Sequence, residues 1–342
     1  MSPDYYYPLK RAGMSSVRLL VPLILKVIGP PSSAPPPEPS ISLTYTPTTG
    51  KRRKPLRMNI YLPAGHSPQK SSKSARLPIH VNVHGSGFCI KSFGQDAAFC
   101  AWLADSVPCV VVDIDHRKAP EHPWPTGPSD VRDAVAAVRG HADVFGWDKD
   151  RISIGGFSSG GCLALVEAAR PRLEGEPSVC AVISFYPSTN LAEPAHLKPQ
   201  LKPDEGAAGG TMPPWFRRFL YACYLPKSIV HDPAKSKKAP KIGQATRSDP
   251  GISPLEAPPE NFPPTTIITC SKDSLAREAT VLAVKLTGAA RDVVHWEAEG
   301  QGHDWDHMCT EGSHPAALKW QAYELVANRL RRAYGFYKEP HR

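Results

Sequence analysis

From Leu77 onward, short apolar runs of strand length alternate with longer segments of helical periodicity. That alternation confines the chain to an α/β fold, because parallel strands need crossovers long enough to hold a helix, and those helices cover both faces of the sheet. The candidate strands are Ile79 to Val83, Cys109 to Ile114, Ile152 to Gly156, Val179 to Tyr186, Thr265 to Cys270 and Val293 to Glu297. Helical periodicity or composition marks Ala97 to Ser106, Ser129 to Gly140, Ser159 to Arg170, Ala276 to Ala289 and Ala316 to Tyr334. Upstream, the alternating segments Ile41 to Tyr45 and Leu56 to Leu62 read as a hairpin with Lys51-Arg52-Arg53-Lys54 at its solvated tip.

One stretch breaks the alternation. Residues 190–251 are rich in Pro, Lys and Gly and hold a single apolar aromatic block, Trp215 to Leu225. We read that block as a helix of a cap inserted into the core. At 342 residues and 41% hydrophobic content, the chain is long for one compact domain and short for two. The expected organisation is an N-terminal segment over residues 1–40 and a core domain over 41–342, with the cap insertion at about 190–251. In the N-terminal segment, Lys10 and Arg11 precede the apolar stretch Val17 to Ile28, which Pro22 and Lys26 interrupt. It falls short of the roughly 20 residues that cross a bilayer. A helix that lies on a membrane or folds over the core as a lid is the preferred reading, with a secretion signal as the other.

A formal charge of +9 would suit a nucleic-acid binder, but the basic residues do not form a recognisable module with interleaved aromatics, so no nucleic-acid partner is expected. The second basic cluster, Lys235 to Lys241, is broken by Pro and reads as exposed. Eight cysteines are scattered with no C-x-x-C pair, several inside apolar runs. That argues against a zinc site or a thioredoxin-like motif, and buried reduced thiols point to a cytoplasmic location.

The chemistry concentrates where strands end. Ile152 to Ile154 run into Gly155-Gly156-Phe157-Ser158-Ser159-Gly160-Gly161 and then Leu163-Ala164-Leu165, which puts a G-x-S-x-G between a strand and a helix. Only glycines at 156 and 160 let so tight a turn form, and the serine then projects its hydroxyl at the sheet's carboxyl edge. The strand Ile79 to Val83 ends in His84-Gly85-Ser86-Gly87-Phe88, small residues whose N–H groups can approach a substrate oxygen. Acyl transfer builds negative charge on that oxygen, so Ser86 and Gly87, with Ser159 after the serine, are the oxyanion-hole candidates. A serine needs an imidazole to take its proton and a carboxylate to fix the tautomer. Asp273 follows the strand Thr265 to Cys270, and His303 follows Val293 to Glu297, in the chain order serine, acid, histidine. Asp304 and Asp306 lie too close to His303 in sequence to orient its ring from the opposite side.

These residues resemble the hormone-sensitive-lipase-like branch of the α/β-hydrolases over roughly Leu77 to Leu330. The resemblance rests on His84 to Phe88, on Asp115 to Pro125 with its Ala-Pro-Glu-His-Pro stretch, on the Ser158 turn, on Tyr186-Pro187, on Ser253-Pro254-Leu255, and on the Asp273 and His303 motifs. It implies an α/β-hydrolase fold with a cap built from the N-terminal segment and an insertion. It also implies hydrolysis of carboxylic esters through an acyl-enzyme, with no metal and no organic cofactor. The Ala119 to Pro125 stretch reads as scaffolding. The branch usually carries Gly at position 86, Asp at 157, Asp at 190 and Pro at 274, where this chain has Ser86, Phe157, Asn190 and Ser274. None of these departures removes Ser158, Asp273 or His303, but Ser86 and Phe157 line the expected acyl pocket and so bear on substrate preference more than on activity.

Trp215, Phe216, Phe219 and Tyr221 suggest an apolar pocket wall, and hence a hydrophobic small-molecule ester as the partner. Two other readings stand beside it. One is a binding protein of the gibberellin-receptor kind, which lacks the histidine. The other is a natural-product enzyme using the same pocket for elimination, acyl transfer or cyclisation.

Overall fold

The computed structural model describes residues 7–28, 35–50, 53–66, 76–229 and 245–337, with the backbone alone for 21–28. The Lys235 to Lys241 cluster, and Lys51 and Arg52 of the hairpin tip, lie outside the described residues. The strands are β1 (Ile41–Tyr45), β2 (Leu56–Tyr61), β3 (Leu77–Val83), β4 (Val110–Ile114), β5 (Trp147–Phe157), β6 (Val182–Phe185), β7 (Thr265–Cys270) and β8 (Val293–Ala298). The helices are α1 (Tyr7–Ile28), α2 (Ala97–Ser106), α3 (Thr126–Phe145), α4 (Ser159–Ala169), α5 (Pro214–Tyr224), α6 (Ala276–Gly288), α7 (Trp305–Met308) and α8 (His314–Ala333).

The strands form one eight-stranded sheet in the order β1-β2-β4-β3-β5-β6-β7-β8. The hairpin pairs Ile41 with Ile60, and β2 runs antiparallel to β4. Every other neighbour is parallel. All residues of β4 and β7 are buried, the pattern of parallel strands covered on both faces, whereas β1 and β8 at the two edges alternate and keep exposed positions. One face of the sheet gathers Ile79, Val81, Leu163 and Leu282 with Met14 of α1 and Leu220 and Tyr221 of α5. The other gathers Phe99, Leu103, Phe185, Tyr323 and Leu330. Each such fully buried side chain contributes about 1.5–3 kcal/mol of hydrophobic stabilisation.

Local chemistry moves several boundaries from the expected ones. Helix α3 runs through Gly140, where a Cβ would meet nothing within 4 Å, and stops at Gly146 in the left-handed conformation at φ 72°. Strand β6 ends before Tyr186, whose φ of 35° leaves the extended region.

The 190–251 region contributes α5, which packs on α1. A Cβ on Gly13 would lie 3.2 Å from the Phe219 ring. Arg18 of α1 forks onto Glu121 at 3.0 and 2.9 Å and donates to the Cys89 and Ala119 carbonyls, both at 2.9 Å. Trp124, from the expected scaffold stretch, receives the other end. Its N–H donates to the Tyr224 carbonyl and its indole to the Gly251 carbonyl, each at 2.9 Å. Among the described residues no helix is long and apolar enough to cross a membrane.

Candidate active site

Strand β5 delivers Ser158 in a strained turn. Its φ of 53° and ψ of −118° lie where a residue with a Cβ rarely sits, and the turn is held by Ser158 N–H on the Phe185 carbonyl at 2.9 Å and Cys162 N–H on the Ser158 carbonyl at 3.0 Å. A side chain at Gly156 or Gly160 would overlap the Val83 carbonyl oxygen of the neighbouring strand. The two glycines therefore let β5, β3 and α4 approach closely enough to raise Ser158 at the sheet edge.

Strands β7 and β8 bring the other two groups to it. His303 Nε2 lies 2.9 Å from Ser158 Oγ, and His303 Nδ1 lies 2.6 Å from Asp273 Oδ2. Asp273 is buried, and its Oδ1 accepts from Leu275 N–H at 3.1 Å and Ser274 Oγ at 3.3 Å. A carboxylate at Nδ1 keeps the proton there and leaves the Nε2 lone pair facing the serine hydroxyl. Burial works against the His303 imidazolium, but the Asp273 carboxylate and its hydrogen bond outweigh that, so the pKa stands above the ordinary 6.5.

The backbone of His303 is clamped from the inserted region. His303 N–H donates to the Gly210 carbonyl at 2.8 Å, Gly210 N–H returns to the His303 carbonyl at 2.9 Å, and Gly302 N–H reaches the Ala208 carbonyl at 3.0 Å. Gly209, at φ 82°, passes so close that a Cβ would sit 2.6 Å from the Gly302 and His303 carbonyl oxygens. Sequence reading did not single out this loop, since its partner lies some ninety residues away.

Asp304 and Asp306 are employed elsewhere. Asp304 Oδ1 holds His307 Nδ1 at 2.7 Å, while Asp306 accepts from the Tyr186 hydroxyl at 2.7 Å and the Tyr323 hydroxyl at 2.9 Å. Burial opposes charge on His307, but Asp306 and Asp304 raise its pKa well above the usual range. The three groups cluster tightly enough to suggest a cation site, but their ligand atoms are already engaged in this network. Tyr186 packs edge-on against His303 with ring centroids 4.8 Å apart.

The loop after β3 departs from expectation at one group. Ser86 N–H donates to Ser159 Oγ at 3.0 Å, and the two hydroxyl oxygens lie 3.1 Å apart. The Gly87 and Ser159 N–H groups make no hydrogen bond among the described residues. A glycine at 86 could still donate its N–H to Ser159 Oγ, so what the serine adds to the tie between the loop and α4 is the hydroxyl–hydroxyl contact.

Two cavities meet at Ser158. The smaller, about 20 Å³, is walled by Phe88, Met212, Arg217, Leu220, Tyr221 and Leu275. The larger, about 170 Å³, is walled by Ser86, Ile90, Gln95, Phe157, Tyr186 and Asp304. Of the aromatic block, Tyr221 faces the smaller cavity, whereas Trp215 is 70% exposed and Phe219 packs against Gly13. The spacing explains this: positions 217, 220 and 221 share one face of α5, and 215 and 219 lie off it.

A strand-end serine, histidine and carboxylate on a mostly parallel sheet define the class of α/β hydrolases. Residues 80–307 match the family described as alpha/beta hydrolase fold, and the chain belongs to that family, in its hormone-sensitive-lipase-like esterase and lipase branch.

The chain is 34% identical over 135 residues to Esterase LipI of Mycobacterium tuberculosis, covering 40% of this chain and 41% of that protein. It is 27% identical over 233 residues to the versiconal hemiacetal acetate esterase of Dothistroma septosporum, covering 66% of each. The matches thus span about two fifths to two thirds of these relatives. A thermostable carboxylesterase cloned from a metagenomic library superposes with TM-score 0.67 at 25% identity, over 95% of this chain and 96% of that one. A bacterial heroin esterase superposes with TM-score 0.73 over 94% and 92%, and at 20% identity that likeness speaks to the fold alone.

Proposed function

We propose that this protein is a carboxylic-ester hydrolase working through an acyl-enzyme, with Ser158 as nucleophile, His303 as general base and acid, and Asp273 as the orienting acid. The observation that carries the reading is the relay Ser158 Oγ, His303 Nε2, His303 Nδ1, Asp273 Oδ2, with gaps of 2.9 and 2.6 Å. His303 takes the serine proton as Oγ attacks the ester carbon, and the carbonyl oxygen becomes an oxyanion. Gly87 and Ser159 N–H receive that charge. Ser86 N–H joins them only if the Ser159 hydroxyl turns away. Collapse expels the alcohol, which leaves with the proton from His303, and water then repeats the sequence to free the acid and Ser158. We assign the smaller cavity, which reaches Asp273 and Leu275, to the acyl chain and the larger one to the alcohol, an assignment that moves the acyl pocket away from Ser86 and Phe157. The apolar side chains Phe88, Leu220 and Leu275 favour a substrate with hydrophobic character.

The eight cysteines are unpaired, which supports the cytoplasmic reading. The exposed Leu9, Leu19 and Leu20 of α1 support its contact with a membrane surface, which co-sedimentation with anionic vesicles tests.

The test of the main reading is turnover of p-nitrophenyl esters of increasing chain length, with fluorophosphonate labelling located by mass spectrometry. Turnover and a label at Ser158, both lost in Ser158→Ala, are expected. Folded wild-type protein with neither would overturn the reading in favour of a binding protein.

A further inference from the structure

Arg217 is the residue of the smaller cavity that the ester mechanism leaves unused. It projects from α5, is 2% exposed, and lines the wall beside Ser158, Asp273 and His303. Its hydrogen bonds go to neutral acceptors: the Met212 carbonyl at 2.9 Å, the Ala195 carbonyl at 3.3 Å and Ser274 Oγ at 2.5 Å. Among the described residues it forms no ion pair. The buried carboxylates on this side of the site are committed elsewhere, Asp273 to His303 and Glu278 to Lys198. A guanidinium carries five donors in a planar fork matched to a carboxylate, and burying its charge without a counter-ion is costly. Phe88, Met212, Leu220 and Leu275 make the apolar part of the wall, and an anionic group of a ligand entering the cavity would find a charged partner in this guanidinium.

Building on the ester-hydrolase reading, we propose that Arg217 is a specificity residue for an anionic acyl group, and that the preferred substrates are monoesters of short dicarboxylic acids. The free carboxylate of the acyl chain pairs with the guanidinium, and the chain methylenes lie against Leu220 and Leu275. At about 20 Å³ the cavity is small, which favours the shortest spacers.

The competing role for Arg217 is structural. It reaches Asp273 through Ser274, so it could act as a positioning residue for the acid, and that role would affect all esters alike. The test compares monoethyl succinate with its uncharged isostere, ethyl 4-methylpentanoate, by pH-stat, in wild type, Arg217→Met and Arg217→Lys, each checked for folding by circular dichroism. Wild type is expected to favour the succinate ester in kcat/KM by about tenfold or more, the scale of a charge-assisted pair. Arg217→Met should lose or invert that ratio, and Arg217→Lys should keep part of it. Equal rates in wild type, a preference for the isostere, or a fall in both esters by the same factor in Arg217→Met would overturn the proposal. Turnover of the isostere reports separately on the hydrolase reading. Should neither ester turn over, ligand-observed NMR of monoethyl succinate with the Ser158→Ala protein decides, and binding no stronger than that of the isostere, or unchanged by adding Arg217→Met, would overturn it.

Discussion

The sheet edge and the layer made by α1 and the 190–251 region hold the site by different means. At the edge, Ser158, Asp273 and His303 follow strands β5, β7 and β8, whose backbones are paired to neighbouring strands close to their C-terminal ends. In the other layer, α1 and α5 are held by packing of Met14, Leu220 and Tyr221 on the core and by a few long-range ties such as Arg18 on Glu121 and Trp124 on Tyr224, while buried Lys198 on Glu278 anchors the chain before α5. A cooperative sheet fixes reacting atoms rigidly, whereas side-chain ties can be rearranged without unfolding the core. The expected division is that the edge sets whether chemistry happens and the other layer sets what it happens to.

The largest effects should follow from damage to the edge. Ser158→Ala should lower kcat/KM for a p-nitrophenyl ester by about 10⁴-fold or more, as loss of a nucleophile does in other triads, while denaturation midpoints hardly move. Asp273→Asn should cost about 10⁴-fold in kcat through the wrong imidazole tautomer, measured with the same ester. If either variant kept most of its activity, the edge would not be the reacting centre.

The pH profile sharpens the point. Protonated His303 cannot accept the serine proton, so kcat/KM should fall as pH drops, and its midpoint should lie above 6.5 because Asp273 outweighs burial there. The folded pKa is raised, so the associated stability is fully present below 6.5 and is lost as pH rises through the folded value. Paired pH–rate and pH–denaturation curves check both signs.

Two stability predictions then set the edge against the other layer. Gly160→Ala places a methyl on the Val83 carbonyl and should destabilise by about 3 kcal/mol or more in urea unfolding, with loss of activity. Arg18→Ala removes the fork onto Glu121 and should cost only about 1 kcal/mol, since that pair is partly exposed. It should appear chiefly as faster proteolysis near α1. Equal costs for the two would erase the distinction between rigid edge and side-chain-tied layer.

Much of the edge was legible in the sequence. The turn glycines 156 and 160, the apolar runs of β3 to β7, the alternating β8 and the positions of Asp273 and His303 just past strand ends are local patterns, set by sterics and by burial. Less was legible where contacts are distant. Trp215 to Tyr221 read as one aromatic wall, but only the face carrying Arg217, Leu220 and Tyr221 turns to the cavity. Ser86 read as an oxyanion donor, but its N–H is taken by the Ser159 hydroxyl.

By itself, then, the sequence determined the alternating fold, the turn that raises Ser158 and the order of the three groups, because backbone sterics and hydrophobic periodicity act over a few residues. Only the tertiary structure decided that Gly210 clamps His303 and that Arg217 enters the cavity without a carboxylate partner. Those outcomes depend on where the layer made by α1 and the 190–251 region settles on the sheet, and no short-range rule encodes that position.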